Sequence, residues 1–240
     1  MLVHLYQNIV LKNPKLIFLL LILTLIGFGS YLKDFRLDAS SETLLIEGDP
    51  DLKYLKEINE RYGSKEFLIL TYTPKEEMVS DSSINNLLSL KYKIQSLNWV
   101  HSVITLLDVP LLDNSDLPLQ ERLKEFKTLK DEDVDKEKGF KEILESPVFR
   151  NFVISKDGKT SGIIVNIKKN DLLEDLEKKS IKEIEIFKDQ IKKKNHNNIL
   201  EIRDVIKSYE DVGKIHLGGI PMIADDMMTF IKSDIVVFGI

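Results

Sequence analysis

The chain has no cysteine, which excludes a disulfide framework, a cysteine-based zinc site and a cysteine nucleophile, and leaves the compartment undecided. Histidine is scarce. His4, His101, His196 and His216 lie far apart with no ligand spacing of the HExxH kind, so each reads as a strand or loop residue rather than a metal ligand. There is no excess of positive charge: the 240 residues carry a net −5, which gives no electrostatic argument for nucleic acid. Nor does any stretch assemble a nucleophile, a base and an oxyanion site. The expectation is a protein that is not an enzyme, with no catalytic, cofactor-binding or metal-binding residue to assign.

Three local patterns approach a chemistry and stop short of it. Gly158-Lys159-Thr160 ends like a phosphate-binding loop, but the first glycine should stand five residues before Gly158, where Val153 is found. Asp157-Gly158 between two β-favouring runs reads as a hairpin turn instead. Asp131, Asp133, Asp135 and Glu142 fall at positions 1, 3, 5 and 12 of a calcium loop, yet position 6, which must turn sharply on glycine, is Lys136. Asp225 and Asp226 are paired carboxylates, but helix neighbours point about 100° apart, so one is expected to cap and the other to face solvent.

What the chain does have is one long apolar run. Leu16 to Leu32 carries no charge and is bracketed by Lys15 and Lys33. Seventeen residues at about 1.5 Å each span about 25 Å. That is slightly short of a ~30 Å hydrocarbon core, a gap that apolar Ile9-Val10-Leu11 and snorkelling of Lys15 and Lys33 would close. A secretory signal would have a shorter apolar region and a small-x-small cleavage site, which Gly27-Phe28-Gly29-Ser30 supplies only weakly. A buried core helix would show a polar face, and this run is apolar all round. The expectation is a transmembrane helix over residues 16–33. Lys12 and Lys15 on one side balance Lys33 and Arg36 on the other, so the lysine count leaves the orientation open.

Before the run, Leu2, Val3, Leu5, Tyr6, Ile9 and Val10 suit a short amphipathic helix at the membrane surface, with Pro14 at the first position of the span. After it, charged residues, 30% of the chain, predominate. Leu52, Leu55, Ile58 and Tyr62 predict a helix, capped by Asp49 or Asp51 and ended by Gly63. Glu66 to Thr73 is a near-continuous apolar run closed by Pro74, which reads as a strand covered on both faces. Ile84, Leu87, Leu90, Ile94 and Leu97 line a helix starting at Asp81 or Ser82, and Trp99 to Leu107 is β-favouring, so the three together read as a βαβ unit.

Glu121 to Glu145 holds 16 charged residues in 25, with Leu123, Phe126 and Leu129 as its few anchors, and reads as a solvated insertion of about residues 113–146. Val148 to Ser155 and Thr160 to Lys168 are two strand-like runs around the Asp-Gly turn. Leu173, Leu176, Ile184, Phe187 and Ile191 predict a helix broken at Asn195-His196-Asn197-Asn198, followed by another through Ile199, Ile202, Val205, Ile206 and Tyr209. Lys214 to Leu217 is a short strand. Gly218-Gly219-Ile220-Pro221 then opens a helix that becomes fully apolar after Asp234, the expected start of a second span cut off at Ile240.

Taken in order, these features resemble the first part of resistance–nodulation–division (RND) exporters, in the branch with MMPL-type and sterol-sensing-like membrane domains. The stretches that carry the likeness are the span Leu16–Leu32, Phe35-Arg36-Leu37-Asp38-Ala39-Ser40-Ser41-Glu42-Thr43-Leu44-Leu45, Asp49-Pro50-Asp51 and the helix ending Arg61-Tyr62-Gly63-Ser64. Val103 to Leu112, Ser155 to Thr160, and Gly219-Ile220-Pro221 leading to Asp234 extend it over essentially the whole chain. The insertion Glu121–Glu145 departs from the family pattern.

The resemblance implies an α+β architecture. A cytoplasmic amphipathic segment (1–15) and a transmembrane helix (16–33) would precede an extracytoplasmic porter-type domain (34–229) with a ferredoxin-like βαβ subdomain, and a second transmembrane helix would start at 230–240. It further implies an amino-terminal fragment of a multi-pass protein of the bacterial inner membrane, exporting lipids, hydrophobic compounds or drugs on the proton motive force, with no bound cofactor. Its partners would be the lipid bilayer and a hydrophobic or lipid substrate; a homo-oligomer or a periplasmic partner protein is also admitted. The proton-relay carboxylates of such exporters lie in later spans. Two rival readings share the span–domain–span plan: a membrane receptor with an extracytoplasmic ligand-sensing domain, and an anchored interaction module.

Overall fold

The computed structural model describes residues 11–31, 49–62, 66–112, 126–168 and 181–239. The expected surface helix before Leu11, the 35–45 stretch, Leu123, Leu173, Leu176 and His4 lie outside the described residues. Chain contacts divide the protein into residues 1–38 and 39–240.

The described part of the first unit is helix α1, Pro14–Gly29, with Pro14 in its first turn as the sequence suggested. None of its residues is buried, and Phe18, Leu19, Leu23, Leu25 and Phe28 are more than 60% exposed. Its two hydroxyls are satisfied locally: Thr24 Oγ1 donates to the carbonyls of Leu20 and Leu21 at 2.9 and 2.8 Å, and Ser30 Oγ to that of Gly27 at 2.7 Å. Among the described residues no helix is long and apolar enough to cross a membrane. The α-helix of the first apolar run stops at Gly29, giving 16 residues.

The second unit is a mixed α+β domain. In chain order it contains α2 (Pro50–Tyr62), β1 (Phe67–Pro74), α3 (Asp81–Gln95), β2 (Val100–Ile104), a 3-10 turn (Leu106–Asp108), α4 (Lys136–Glu145), β3 (Ser161–Ile167), α5 (Ile181–Lys207), β4 (Gly213–Gly218) and α6 (Ile220–Phe238). The four strands form one sheet in the order β2-β3-β1-β4, and every neighbouring pair is antiparallel. Setting the insertion aside, the order is β-α-β-β-α-β. The expected βαβ unit is therefore split. β1 and β2 run parallel to each other, but β3 lies between them and bonds to both.

The core lies on one face of the sheet. Leu68, Leu70 and Tyr72 of β1 and Ile163 and Val165 of β3 are fully buried against Ile84, Leu87, Leu90 and Ile94 of α3 and Ile199, Ile202 and Val205 of α5. β1 is not covered on both faces, since Phe67 and Ile69 remain 45% and 41% exposed. Its continuous apolar run conceals an ordinary in–out alternation because the outer face is apolar as well, which is one reason a short run cannot report its own burial. Helix α3 starts at Asp81, one of the two expected positions, and Ser80 caps it, with Ser80 Oγ accepting from the Ser83 amide at 3.1 Å.

One expectation in the middle of the chain is corrected. In the described part of the insertion, Leu129, one of the expected anchors, is buried in the core with Val134 and Ile143, Phe126 is 49% exposed, and the Leu111 amide donates to the Lys127 carbonyl at 2.8 Å. The Asp-Gly turn forms, with Gly158 at φ +69° and the Ser155 amide donating to the Thr160 carbonyl at 2.9 Å. Its first arm is not a strand. Residues 147–153 turn repeatedly, with Asn151 at φ 68°, and only isolated bridges link Ile154 to Arg150 and Ser161.

Candidate functional site

The polar contacts that bear most directly on function gather at the root of α6, the helix that carries the terminal apolar run. Gly218 ends β4 and Gly219 is the cap residue of α6 at φ 121°, a backbone setting reserved for glycine. A Cβ on Gly219 would come within 3.1 Å of the Phe67 carbonyl oxygen and 3.2 Å of Leu68 Cα, so the helix starts pressed against β1. Pro221 follows in the first turn, where its missing N–H is no loss.

Three side chains of α5 then hold the first two turns of α6. Asn195 Nδ2 donates to the Pro221 carbonyl at 3.0 Å. His196 Nδ1 lies 3.0 Å from both carboxylate oxygens of Asp225. Arg203 Nη2 donates to both oxygens of Asp226 at 2.8 Å. His196 and Arg203 are seven residues apart, close to two helical turns, and so project from one face of α5. The Asp225 side chain is 9% exposed and the His196 ring 43%.

This changes the reading of both motifs. Gly219 already caps α6, so neither Asp225 nor Asp226 caps and neither is simply solvated; both are held by α5. The run Asn195-His196-Asn197-Asn198 does not break the helix, and α5 is continuous for 27 residues. Polar residues of this kind weaken helices by competing for the backbone. Asn195 and His196 instead bond to α6, which removes that competition. Arg203 attracted no attention in the sequence; its spacing of seven from His196 was the available signal. The other described histidines, His101 on β2 and His216 on β4, are exposed and stand apart from this site.

The calcium-like carboxylates are not brought together around a common point. Asp131 accepts from the Thr128 amide at 2.6 Å, Asp133 pairs with Lys127, Asp135 caps α4 through the Lys138 amide at 3.2 Å, and Glu142 accepts from the Leu112 amide at 2.5 Å. Among the described residues no group of three potential ligands could hold a metal ion. The remaining polar cluster is structural. Asp108 Oδ2 accepts from the Thr105 amide at 2.8 Å, while Oδ1 accepts from Lys91 and, at 3.0 Å, from Lys130. Burial alone would raise the Asp108 carboxyl, but the bonds from Lys91, Lys130 and the Thr105 amide outweigh it and hold it below the usual carboxylate range. A shallow cavity of about 280 Å³, open to solvent, is lined by Val109, Pro110, Leu112, Ile143 and Phe149 together with Glu142, Glu145 and Ser146.

The sequence matches no protein-family model, and no curated protein is similar to it.

Proposed function

We propose that this chain is the amino-terminal part of a proton-driven membrane exporter of the resistance–nodulation–division type, moving lipids, hydrophobic compounds or drugs across a bacterial inner membrane. The observation that carries the reading is that, in sequence, one exposed apolar helix precedes the sheet domain and another exposed apolar helical stretch follows it. α1, buried nowhere, precedes the domain in sequence, and α6 ends in exposed Ile235, Val236, Val237 and Phe238. So much apolar side chain on a helix surface calls for a partner that is not water. At 16 residues α1 spans about 24 Å, and snorkelling of Lys15 together with local thinning of the bilayer accommodates the difference from a ~30 Å core.

In this reading the split β-α-β-β-α-β sheet is a ferredoxin-like subdomain of an extracytoplasmic porter domain, and the amino terminus is cytoplasmic. The α5–α6 contacts tie that domain to the second span. Lys15 lies in the first turn of α1, and the apolar stretch that follows it in the helix has no ionisable residue to carry protons.

The test has two parts. The coding sequence beyond Ile240 should encode four or five further apolar runs and then a second copy of the whole pattern; a HAMP-like linker and kinase there would favour the sensor. In the cysteine-free chain, Ser96→Cys, at an exposed helix end, should react with a membrane-impermeant maleimide added to the extracytoplasmic side. Labelling only after the inner membrane is breached would overturn the orientation.

A further inference from the structure

We propose that the contact between His196 and Asp225 is a proton-operated latch that sets how firmly the root of α6 is held against α5. Asp225 is nearly removed from solvent, and both of its oxygens face the same atom, Nδ1 of His196. The imidazole is 43% exposed, so solvent protons reach it directly. When the ring is protonated, the contact is an ion pair with a charge-assisted hydrogen bond. When the ring is neutral, the little-exposed Asp225 carboxylate keeps only an uncharged donor from His196, and desolvation then favours letting water in, which means loosening α6.

The other two contacts between these helices do not involve the imidazole. The Asn195 amide carries no ionisable group, and Arg203 and Asp226 face each other as a guanidinium–carboxylate pair. They would act as the pivot, with His196 as the catch.

The surrounding charges are as follows. On α5, Lys192 and Lys193 stand one turn before His196, and Arg203 is engaged by Asp226. On α6, Lys232 and Asp234 lie further along the helix. β1, which α6 packs against, has no charged side chain, and Glu66 just before it has its carboxyl pushed up by burial. α3, packed on α5, has Asp81 bonded to Lys136 and Lys91 to Asp108, while Lys93 is exposed. The adjoining β4 carries exposed Lys214 and His216. Among the hydrogen bonds made by the described residues, Asp225 receives its bonds from His196.

The latch follows from the geometry of α5 and α6 and does not require that the domain belong to an exporter. Failure of the coding-sequence or labelling test would count against the export reading and leave the latch standing, whereas a static α6 would count against the latch alone.

The absence of cysteine allows a direct test on the full chain. Spin labels at Leu200→Cys on α5 and Met227→Cys on α6, both exposed positions, report the separation of the helices. At about pH 5.5 one narrow distance is expected; at about pH 8.5 a second, longer population should grow, with about a tenfold change in the ratio of held to loosened forms. His196→Gln keeps a donor of similar reach and removes the titration, so its two distributions should coincide. Should His196→Gln fail to fold, Asp225→Asn serves the same purpose, since without the carboxylate charge the pH dependence should vanish. The latch is overturned if the distances in the otherwise unchanged chain are the same at both pH values, or if their pH dependence survives in either variant.

Discussion

One nitrogen of Arg203, Nη2, donates to both oxygens of Asp226 at 2.8 Å, so the guanidinium acts here as a point donor rather than as a two-pronged fork. The side chains are 41% and 24% exposed, which limits what the pair contributes. Arg203→Ala is expected to lower stability by about 1 kcal/mol. Arg203→Lys should retain much of that, because an ammonium can also present one charged donor. Thermal unfolding of the chain, followed by circular dichroism, distinguishes the two; equal losses would mean that both guanidinium prongs matter.

Gly219 gives a sharper prediction. At φ 121° and ψ 154° its backbone is accessible almost only to glycine, and an added Cβ would meet the backbone of Phe67 and Leu68 at 3.1 to 3.2 Å. Gly219→Ala should destabilise the domain by about 1–3 kcal/mol and raise hydrogen exchange over the first turns of α6. The same substitution at Gly218, where φ is not positive and the nearest contact is 3.7 Å, should be much milder. If the two variants behave alike, backbone strain is not what Gly219 relieves.

Leu129 tests the anchoring of the charged insertion. It is 1% exposed, packed in the same core as Val134 and Ile143. Leu129→Ala should cost about 2–4 kcal/mol, as a buried deletion does, whereas a solvated loop would tolerate it within about 0.5 kcal/mol. Phe126→Ala, at a half-exposed position, is the internal comparison and should have a small effect.

The contrast between Leu129 and Phe126 also shows what was legible in the sequence. Features set by neighbours along the chain could be read: the Pro14 start of α1, the apolar stripe of α3, the Gly158 turn and the glycine entry to α6. Features set by distant residues could not. Phe126 and Leu129 look equally apolar, and the fold alone decides which one is covered. Asn195 and His196 would weaken the helix if they lacked partners, and their partners lie on α6, more than twenty residues away. The place of β3 between β1 and β2 is likewise a long-range pairing that periodicity does not encode.

Asp108 supplies a pH dependence with a definite sign. Its folded value lies below its unfolded one, so its stabilising contribution is fully present above the unfolded value near pH ~4 and is lost as pH falls through the folded value. Asp108→Asn should lower stability at about pH 6 by about 1–3 kcal/mol, because Lys91, with a side chain 10% exposed, loses its counter-charge. At about pH 3 the gap between the two proteins should narrow. Exposed carboxylates such as Asp81, Asp133, Asp135 and Asp157 share the acid dependence, so the difference between the two proteins is the quantity to measure. A gap that stays constant on acidification would show that Asp108 acts through shape alone.

The last prediction concerns α1, where membrane and core readings diverge most. Ile22 lies near its middle and is exposed, like its neighbours. If the helix sits in hydrocarbon, Ile22→Lys disfavours insertion by about 3 kcal/mol, and the snorkelling open to Lys15 at the helix end does not reach from the centre. The variant should move in part from the alkali-resistant membrane fraction to the wash, while the unfolding of the sheet domain stays unchanged. If α1 were instead a helix that buries against protein, the same lysine would lower the stability of whatever it packs on and leave fractionation as it was. Ile22→Leu, which keeps the apolar surface, should match the unaltered chain in both measurements. Loss of membrane association in Ile22→Leu as well would point to side-chain packing rather than hydrophobicity as the basis of α1's association.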